Sequence, residues 1–475
     1  MSCVAVPLLA QVWAELLGAP DAVDRVRARG SAGLGGPLPV GQLAVGTAVA
    51  HLLAARELRS RGAPGELADQ YLHLDAAHVG VEFGSERHLR VDGVPRAGGF
   101  APLSRAWPTS DGWVRTHANY PHHRAALLAA LGLDAGGGDE ATSPRLAAAL
   151  AERSALDVEE VVTAAGGLAV AVRTPQEWSA TPMGAAVARS PLVSLRRVGD
   201  GAAQRARGGA GSGAGSGVGS GAEGVEGARV LDLTRVIAGP TATRALAAHG
   251  ADVLRVDPPH LPELPEQWLE TGPGKRCCEL DLAAPAGRAC LEELLAGADV
   301  LVHGYRPGAL ARHGLDEASL AERHPHLVVA SLSAWGEQGP WAHRRGFDSL
   351  VQAASGVAVM SGGADGRPGA LPVQALDHAA GQLLAAAVLR ALALRRDGGT
   401  WHASTSLAAQ ARWLLANAVV SASDAPQPPP AEAPQAERYL VEVPSPDGAL
   451  TVVRPLGAAP WASGPVRTAA EWLPR

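Results

Sequence analysis

The sequence predicts an α/β protein built on a doubly wound, Rossmann-like parallel sheet with a smaller α+β domain beside it. Two observations carry this. From about residue 229 short apolar runs alternate with helical segments, the rhythm of βαβ units. Between Gly84 and Val198 the pattern is instead hairpins and single strand–turn–helix units. A Gly/Ser stretch, residues 208–227, separates the two regions.

Taken in order, the first 20 residues have helical spacing, Glu15 inside the apolar run and no basic leader, so they predict an amphipathic helix rather than an export signal. Leu38 to Val79 predicts a loop and a long helix ending near Gly62. HLRVDGVPR predicts a hairpin through Asp92-Gly93, and DGWVRTHANYPHHRAALLAALGL a strand, a polar turn and a helix. LAVAVRTPQEW predicts a buried strand, then a helix opened by Thr174-Pro175. Past the Gly/Ser stretch, Val230–Thr234 is a strand, Gly239-Pro240 opens a helix closing at Gly250, and Ala251–Val256 is the next strand. DVLVHGY, a helix in PGALARHGL and the strand HLVVASLSAW continue the series. A Pro-rich stretch at 424–437 predicts an extended surface loop.

Composition removes several functions. A hydrophobic content of 47% over 475 residues supports a sizeable core. Only 4% aromatics and a net charge of −6 leave no footprint for nucleic acid or an anionic membrane. Cys3, Cys277, Cys278 and Cys290 show no metal or redox spacing, so reduced thiols in a cytoplasmic protein are expected. His88, His117, His122 and His123 match no ligand pattern, and a solvated turn capping a helix is the expectation, with no metal. Asp257 could serve as a ribose acid, but RVIAGPTAT lacks the G-x-G-x-x-G that a pyrophosphate requires.

One stretch, Arg345 to Arg396, organises the rest. Asp377 stands where its loop gives way to a long apolar helix. On spacing alone Asp377 reads as a helix N-cap. The segment echoes an earlier one: Leu38-Pro39-Val40 matches Leu371-Pro372-Val373, and Asp377 then falls opposite Ala44.

The blocks VLDLTRVIAGPTATRALAAHGADVLRVD, GKR with LDL, DVLVHGYRPGALARHGL, LVVASLSAWGEQGPW, GFDSLVQAASG and LPVQALDHAAGQLLAAAVLRAL resemble the class III CoA-transferase family (CaiB/BaiF), in the family's order. That family includes formyl-CoA transferase, carnitine CoA-transferase and α-methylacyl-CoA racemase. The resemblance implies the class III CoA-transferase fold in a tandem or permuted arrangement. It divides the chain into a degenerate catalytic-type helical segment (1–83), a small-domain-like segment (84–205), the linker (206–227), a CoA-binding catalytic domain (228–423), the Pro-rich loop (424–437) and a C-terminal segment (438–475).

By the same resemblance Asp377 is the covalent nucleophile. Val236, Ile237 and Ala238 line CoA through backbone groups, and Leu280, Gly304, Tyr305, Arg312 and Trp335 stand at or near other CoA contacts. The implied substrates are an acyl-CoA and a small carboxylic acid, with no permanently bound cofactor and either an intramolecular pseudo-dimer or a homodimer. Phe347 stands where the racemase branch has histidine, and Tyr120 opposite its small-domain glutamate. Transfer of CoA between acids is therefore the expected activity, with racemisation, or CoA-ester binding without catalysis, as alternatives. Asp348 is expected to cap its own helix, and Gly98-Gly99 is a candidate glycine loop for an oxyanion.

Overall fold

The computed structural model describes residues 7–60, 70–96, 98–202, 225–418 and 436–474. The Gly/Ser linker and the Pro-rich stretch lie almost wholly outside the described residues.

The main sheet has eight strands: β1 (Val193–Gly199), β2 (Arg229–Leu233), β3 (Asp252–Asp257), β4 (Lys275–Glu279), β5 (Val300–His303), β6 (Val328–Ser333), β7 (Thr400–Ser406) and β8 (Val466–Arg467). Their order across the sheet is β8-β4-β3-β2-β5-β6-β7-β1. β2 through β8 run parallel. Only β1, which precedes the Gly/Ser stretch, is antiparallel, pairing Val193 with Thr405 along the β7 edge. The chain leaves β2 in one direction to build β3 and β4, then returns to its other side for β5 to β7. The crevice at that reversal is where such sheets bind ligands.

Both faces of the sheet are covered, so its strands are apolar on both sides. Val230, Val253, Val300 and Val328 face one layer, formed mainly by α1 (Val40–Ser60), α2 (Ala238–Ala248) and a later helix, Ala375–Arg395. Leu231, Leu254, Leu301 and Val329 face the other, with Leu291, Leu294 and Leu295 of α3 (Pro285–Gly297) and Leu320 of α4 (Glu317–Arg323). The period of two along each strand places successive residues in opposite cores. PGALARHGL does not make the expected helix. Pro307, Gly308 and Gly314, the last two at positive φ, confine it to a single 3₁₀ turn, Ala311–His313.

Two further helices complete the frame of the site, α5 (Asp348–Ser355) and α6 (Ala375–Arg395). Every residue of α6 except Leu394 is buried. It packs against α1, itself buried over most of its length, and against α2. Gly381 permits the second contact, since a Cβ there would lie 2.5 Å from the Ala238 carbonyl oxygen.

The first half also builds a three-stranded antiparallel sheet (Ala106–Pro108, Trp113–Thr116, Ala169–Ala171) with the helices Pro121–Ala130, Asp139–Ala151 and Ala155–Ala164. Its core, Trp107, Leu127, Leu146 and Val158 among others, is separate from the main sheet's. The helix opens at Thr174-Pro175 as the sequence predicts, and Thr174 also closes a capping box with Glu177. The hairpin at Asp92-Gly93 is present, with φ of 50° and 76° at its two turn residues. It joins Leu440–Val443 and Leu450–Val453 in a four-stranded sheet, so a first-half hairpin and the C-terminal segment share one sheet.

Candidate active site

A cleft of about 580 Å³ opens over the carboxyl ends of β2, β5 and β6. Leu233 to Ala238 form one wall, Gly304 to Arg306 another, and Arg344 to Phe347 a third, while Asp377 lies in its floor. Tyr120, His122 and His123, all from the first half, close it from above. Five arginines reach the cleft (Arg235, Arg306, Arg312, Arg344, Arg345) against two carboxylates, Asp281 and Asp377. The lining is therefore strongly basic in a protein whose net charge is −6, which suits a polyanionic ligand.

The two carboxylates differ. Asp281 is turned into its own loop, accepting from the Ala283 N–H at 2.9 Å. Asp377 is 7% exposed, and its carboxylate has no hydrogen-bond or ion-pair partner among the described residues. It is not the N-cap of α6, a place Gln374 takes, but the third residue of the first turn. The capping is done from a distance. Asp348 accepts from the Leu376 N–H at 2.9 Å and the Asp377 N–H at 3.1 Å, and Gln352 also donates to it. The expectation that Asp348 caps its own helix is thus corrected: it is the first residue of α5, and Phe347 holds the capping position.

This arrangement raises the Asp377 carboxyl well above the ordinary range. Burial is the main cause, and the charges of Asp348 and Glu86 add to it. Asp348 itself rises to about 6 through burial, opposed by Gln352 and the two α6 N–H groups. His378, next in sequence, turns away and meets Glu86 at 3.3 Å. Burial alone would lower its pKa, but Glu86 outweighs burial and raises it. Residues of the first half thereby buttress the start of α6: Glu86 on His378, Arg87 donating to the Pro372 carbonyl, and Phe83 with its ring centroid 5.4 Å from that of His378.

At the end of β2 the backbone is strained. Val236, β-branched, has φ of 72°, a conformation that L-residues avoid. Its N–H donates to Glu263 at 2.9 Å. Glu263 also accepts from Tyr120 Oη at 2.7 Å and from Arg255 at 3.1 Å. Although burial favours its protonation, Arg255 and Arg235 outweigh burial and hold it low. One buried carboxylate thus ties the β2 turn to Tyr120 of the first half, and the strained residue lies on the wall of the cleft.

Of the residues expected to contact CoA, Val236, Ile237, Ala238, Gly304, Tyr305 and Arg312 line the cleft with Asp377. Leu280 packs in the core on the α3 face, and Trp335, 2% exposed, packs among Trp178 and Trp341. Neither reaches the cleft, and neither do Gly98 and Gly99. The histidine turn is solvated only in part: His122 is exposed, but His117 and His123 are buried. His117 and His123 are 3% and 4% exposed, and His117 stacks on Phe347 with centroids 4.0 Å apart. Burial pushes both imidazoles down to about 3, so they stay neutral. Sequence reasoning places the ligand at the strand ends Thr234–Gly239 and Gly304–Arg306, which include Arg235 and Arg306, but misses Arg344, Arg345, His122 and His123 as lining residues. The signal available for these two arginines was their position just ahead of the GFD block.

Residues 225–445 match the model of CoA-transferase family III. This part of the chain belongs to that family. The chain is 33% identical over 236 residues to a probable fatty acyl-CoA transferase of Mycobacterium tuberculosis, covering 46% of this chain and 59% of the relative. It is 29% identical over 379 residues to an acyl-CoA transferase of Gibberella moniliformis, covering 73% and 65%. A crystal structure of the mycobacterial protein aligns at 34% identity over 40% of this chain and 56% of that one, with a TM-score of 0.39. The chain thus spans less than two thirds of the length of these relatives. Among the described residues no helix is long and apolar enough to cross a membrane, and no group of three or more His, Cys, Asp or Glu is placed to hold a metal.

Proposed function

We propose that the chain transfers CoA from an acyl-CoA thioester to a carboxylic acid, with Asp377 as covalent nucleophile. The observation that carries this is an unpartnered, buried carboxylate in the floor of an arginine-lined cleft at the reversal point of a parallel sheet. The strand order supports reading the second half as a doubly wound, Rossmann-like domain. The helix pair α1 and α6 supports reading the first half as a tandem copy in which Ala44 replaces the nucleophile. Residues 84–205 are read as a small domain closing over the site. The buried thiols Cys277 and Cys278 fit a reducing compartment such as the cytoplasm.

The chemistry needs neither metal nor bound cofactor. The ionised Asp377 attacks the thioester carbonyl; the C–S bond breaks, CoA leaves as thiolate, and a mixed anhydride remains. The thiolate then attacks the aspartyl carbonyl and expels the donor acid as its carboxylate, leaving an aspartyl-CoA thioester. The acceptor carboxylate attacks that thioester, releasing thiolate and forming a second anhydride. Thiolate attack on the acceptor's carbonyl gives the new acyl-CoA and returns Asp377 as carboxylate. Arg235 and Arg312 hold CoA phosphates, and the strained β2 turn presents backbone groups to the nucleotide. The free N–H groups of α6 cannot all serve an oxyanion, because Asp348 occupies two of them.

The test is CoA transfer assayed chromatographically with panels of acyl-CoAs and acids, beside Asp377→Ala. Transfer abolished in the variant, with CoA binding retained, is the expected result. Transfer surviving in Asp377→Ala refutes the role of Asp377. Solvent deuterium entering the α-carbon without any acceptor would favour racemisation, which the buried, low-pKa imidazoles of His117 and His123 serve poorly as bases.

A further inference from the structure

The turn that ends β2 is held by a carboxylate that does not itself line the cleft. The Glu263 side chain is 3% exposed. One of its oxygens accepts from the Val236 N–H at 2.9 Å and from Arg255 at 3.1 Å. The other accepts from Tyr120 Oη at 2.7 Å and from the Leu264 N–H at 3.0 Å, with the Arg235 guanidinium 3.6 Å away. From the reading of the cleft as a CoA site, we propose that Glu263 is a positioning residue for the nucleotide part of the thioester, and that Tyr120 makes this positioning depend on the first half of the chain.

Geometry and charge carry the argument. Arg235 and Val236 both line the cleft, and each is kept in place by other residues. Val236 has φ of 72°, which a β-branched residue leaves unless its surroundings impose it, and the bond to Glu263 fixes its N–H. Arg235 is fixed by the Pro262 carbonyl at 2.9 Å, by Glu263, and by the Tyr120 ring, whose centroid lies 5.3 Å from the guanidinium. Two of these three contacts belong to the Tyr120–Glu263 pair. Burial and the Glu263 charge raise the Tyr120 pKa, so the hydroxyl stays protonated and donates. Removing that hydroxyl loosens Glu263, and with it Arg235 and the turn, while the buried Arg255 keeps Asp257 at 2.8 Å. The anionic groups of CoA are its phosphates, and these are what Arg235 can pair with. The effect therefore falls on CoA and spares a thioester that lacks the nucleotide.

The test uses the full chain with Tyr120→Phe, which keeps the ring and removes the hydroxyl, and with Glu263→Gln as a second variant. The probes are butyryl-CoA and S-butyrylpantetheine, which has no nucleotide, each followed as acylation of Asp377. The preference for butyryl-CoA over S-butyrylpantetheine should fall by about tenfold in Tyr120→Phe, the loss of a hydrogen bond to a charged group, and further in Glu263→Gln. The loss should appear in the half-saturating concentration rather than in the saturated rate. An unchanged preference overturns the inference, and so does an equal loss on both thioesters, which would make the pair merely structural. Hydrogen exchange of the amides of residues 234–239 reads the same link with no ligand bound. It should quicken in Tyr120→Phe relative to the amides of β6; exchange that does not change overturns the link. If the native chain reacts with neither thioester, the catalytic reading fails. Calorimetric binding of free CoA then decides the inference with the exchange result: affinity weakened in Tyr120→Phe supports it, and equal affinity overturns it.

Discussion

Replacing Asp348 by Asn separates the electrostatics of the site from its architecture. The Asn carbonyl oxygen can still accept from the Leu376 and Asp377 N–H groups, so the start of α6 keeps its cap. The negative charge is lost. At pH 7 a carboxyl with a pKa of about 6 is mostly ionised, and a charge this close is worth about 1–3 pKa units on its neighbour, or about 1.4–4 kcal/mol. Asp377 must be ionised to attack, so acylation rises with pH through its raised pKa. In Asp348→Asn the midpoint of that rise should move down by about 1–3 units. Single-turnover acylation, measured by quenched-flow across pH in both proteins, reads the shift. The amide facing Gln352 is a poorer partner than the carboxylate, and a stability loss of about 1–2 kcal/mol should accompany it. A midpoint that stays fixed or moves up refutes the claim that Asp348 raises Asp377.

Other expectations follow from packing and burial. Gly381→Ala drives a methyl into the Ala238 carbonyl and Thr241; overpacking of about 1–3 kcal/mol should outweigh the about 1 kcal/mol gained in helix propensity. A urea midpoint that does not fall, or CoA affinity that does not weaken as the β2 turn shifts, would count against this. His51 and His117, 2% and 3% exposed, have folded pKa values of about 4 and about 3. Protons then bind the unfolded chain first below about pH 6.5, so stability is intact above that value and lost as pH falls toward the folded values. Each should cost about 2 kcal/mol by pH 5, measurable by denaturation at pH 7 and 5. Residues 229–475 expressed alone should be insoluble or inactive, because they lack β1, α1 and Tyr120. A soluble, fully active fragment would contradict the shared architecture.

The βαβ half was legible because its strands are continuous apolar runs bounded by Gly and Pro, and because Thr174-Pro175 and Asp92-Gly93 are local signals. Asp377 was legible as a residue but not in its environment. The carboxylate that caps its helix comes from 29 positions upstream, and no periodicity reports such a pairing. The histidine turn misled because polarity in sequence suggests solvent, whereas here His117 and His123 pack against Phe347. Strand β1 was hidden for a different reason: it pairs across the Gly/Ser stretch with β7, a contact set by topology alone. The arginine cluster draws on separate loops, and only the folded sheet brings Arg235, Arg306 and Arg345 to one cleft.

The central claim is a covalent intermediate on Asp377, and intact-protein mass spectrometry after incubation with acyl-CoAs, with hydroxylamine as trap, tests it most directly. The account predicts an adduct that hydroxylamine converts to a hydroxamate at Asp377 and that is missing from Asp377→Ala. CoA-ester binding with no adduct from any donor, or an adduct mapping elsewhere, would contradict it.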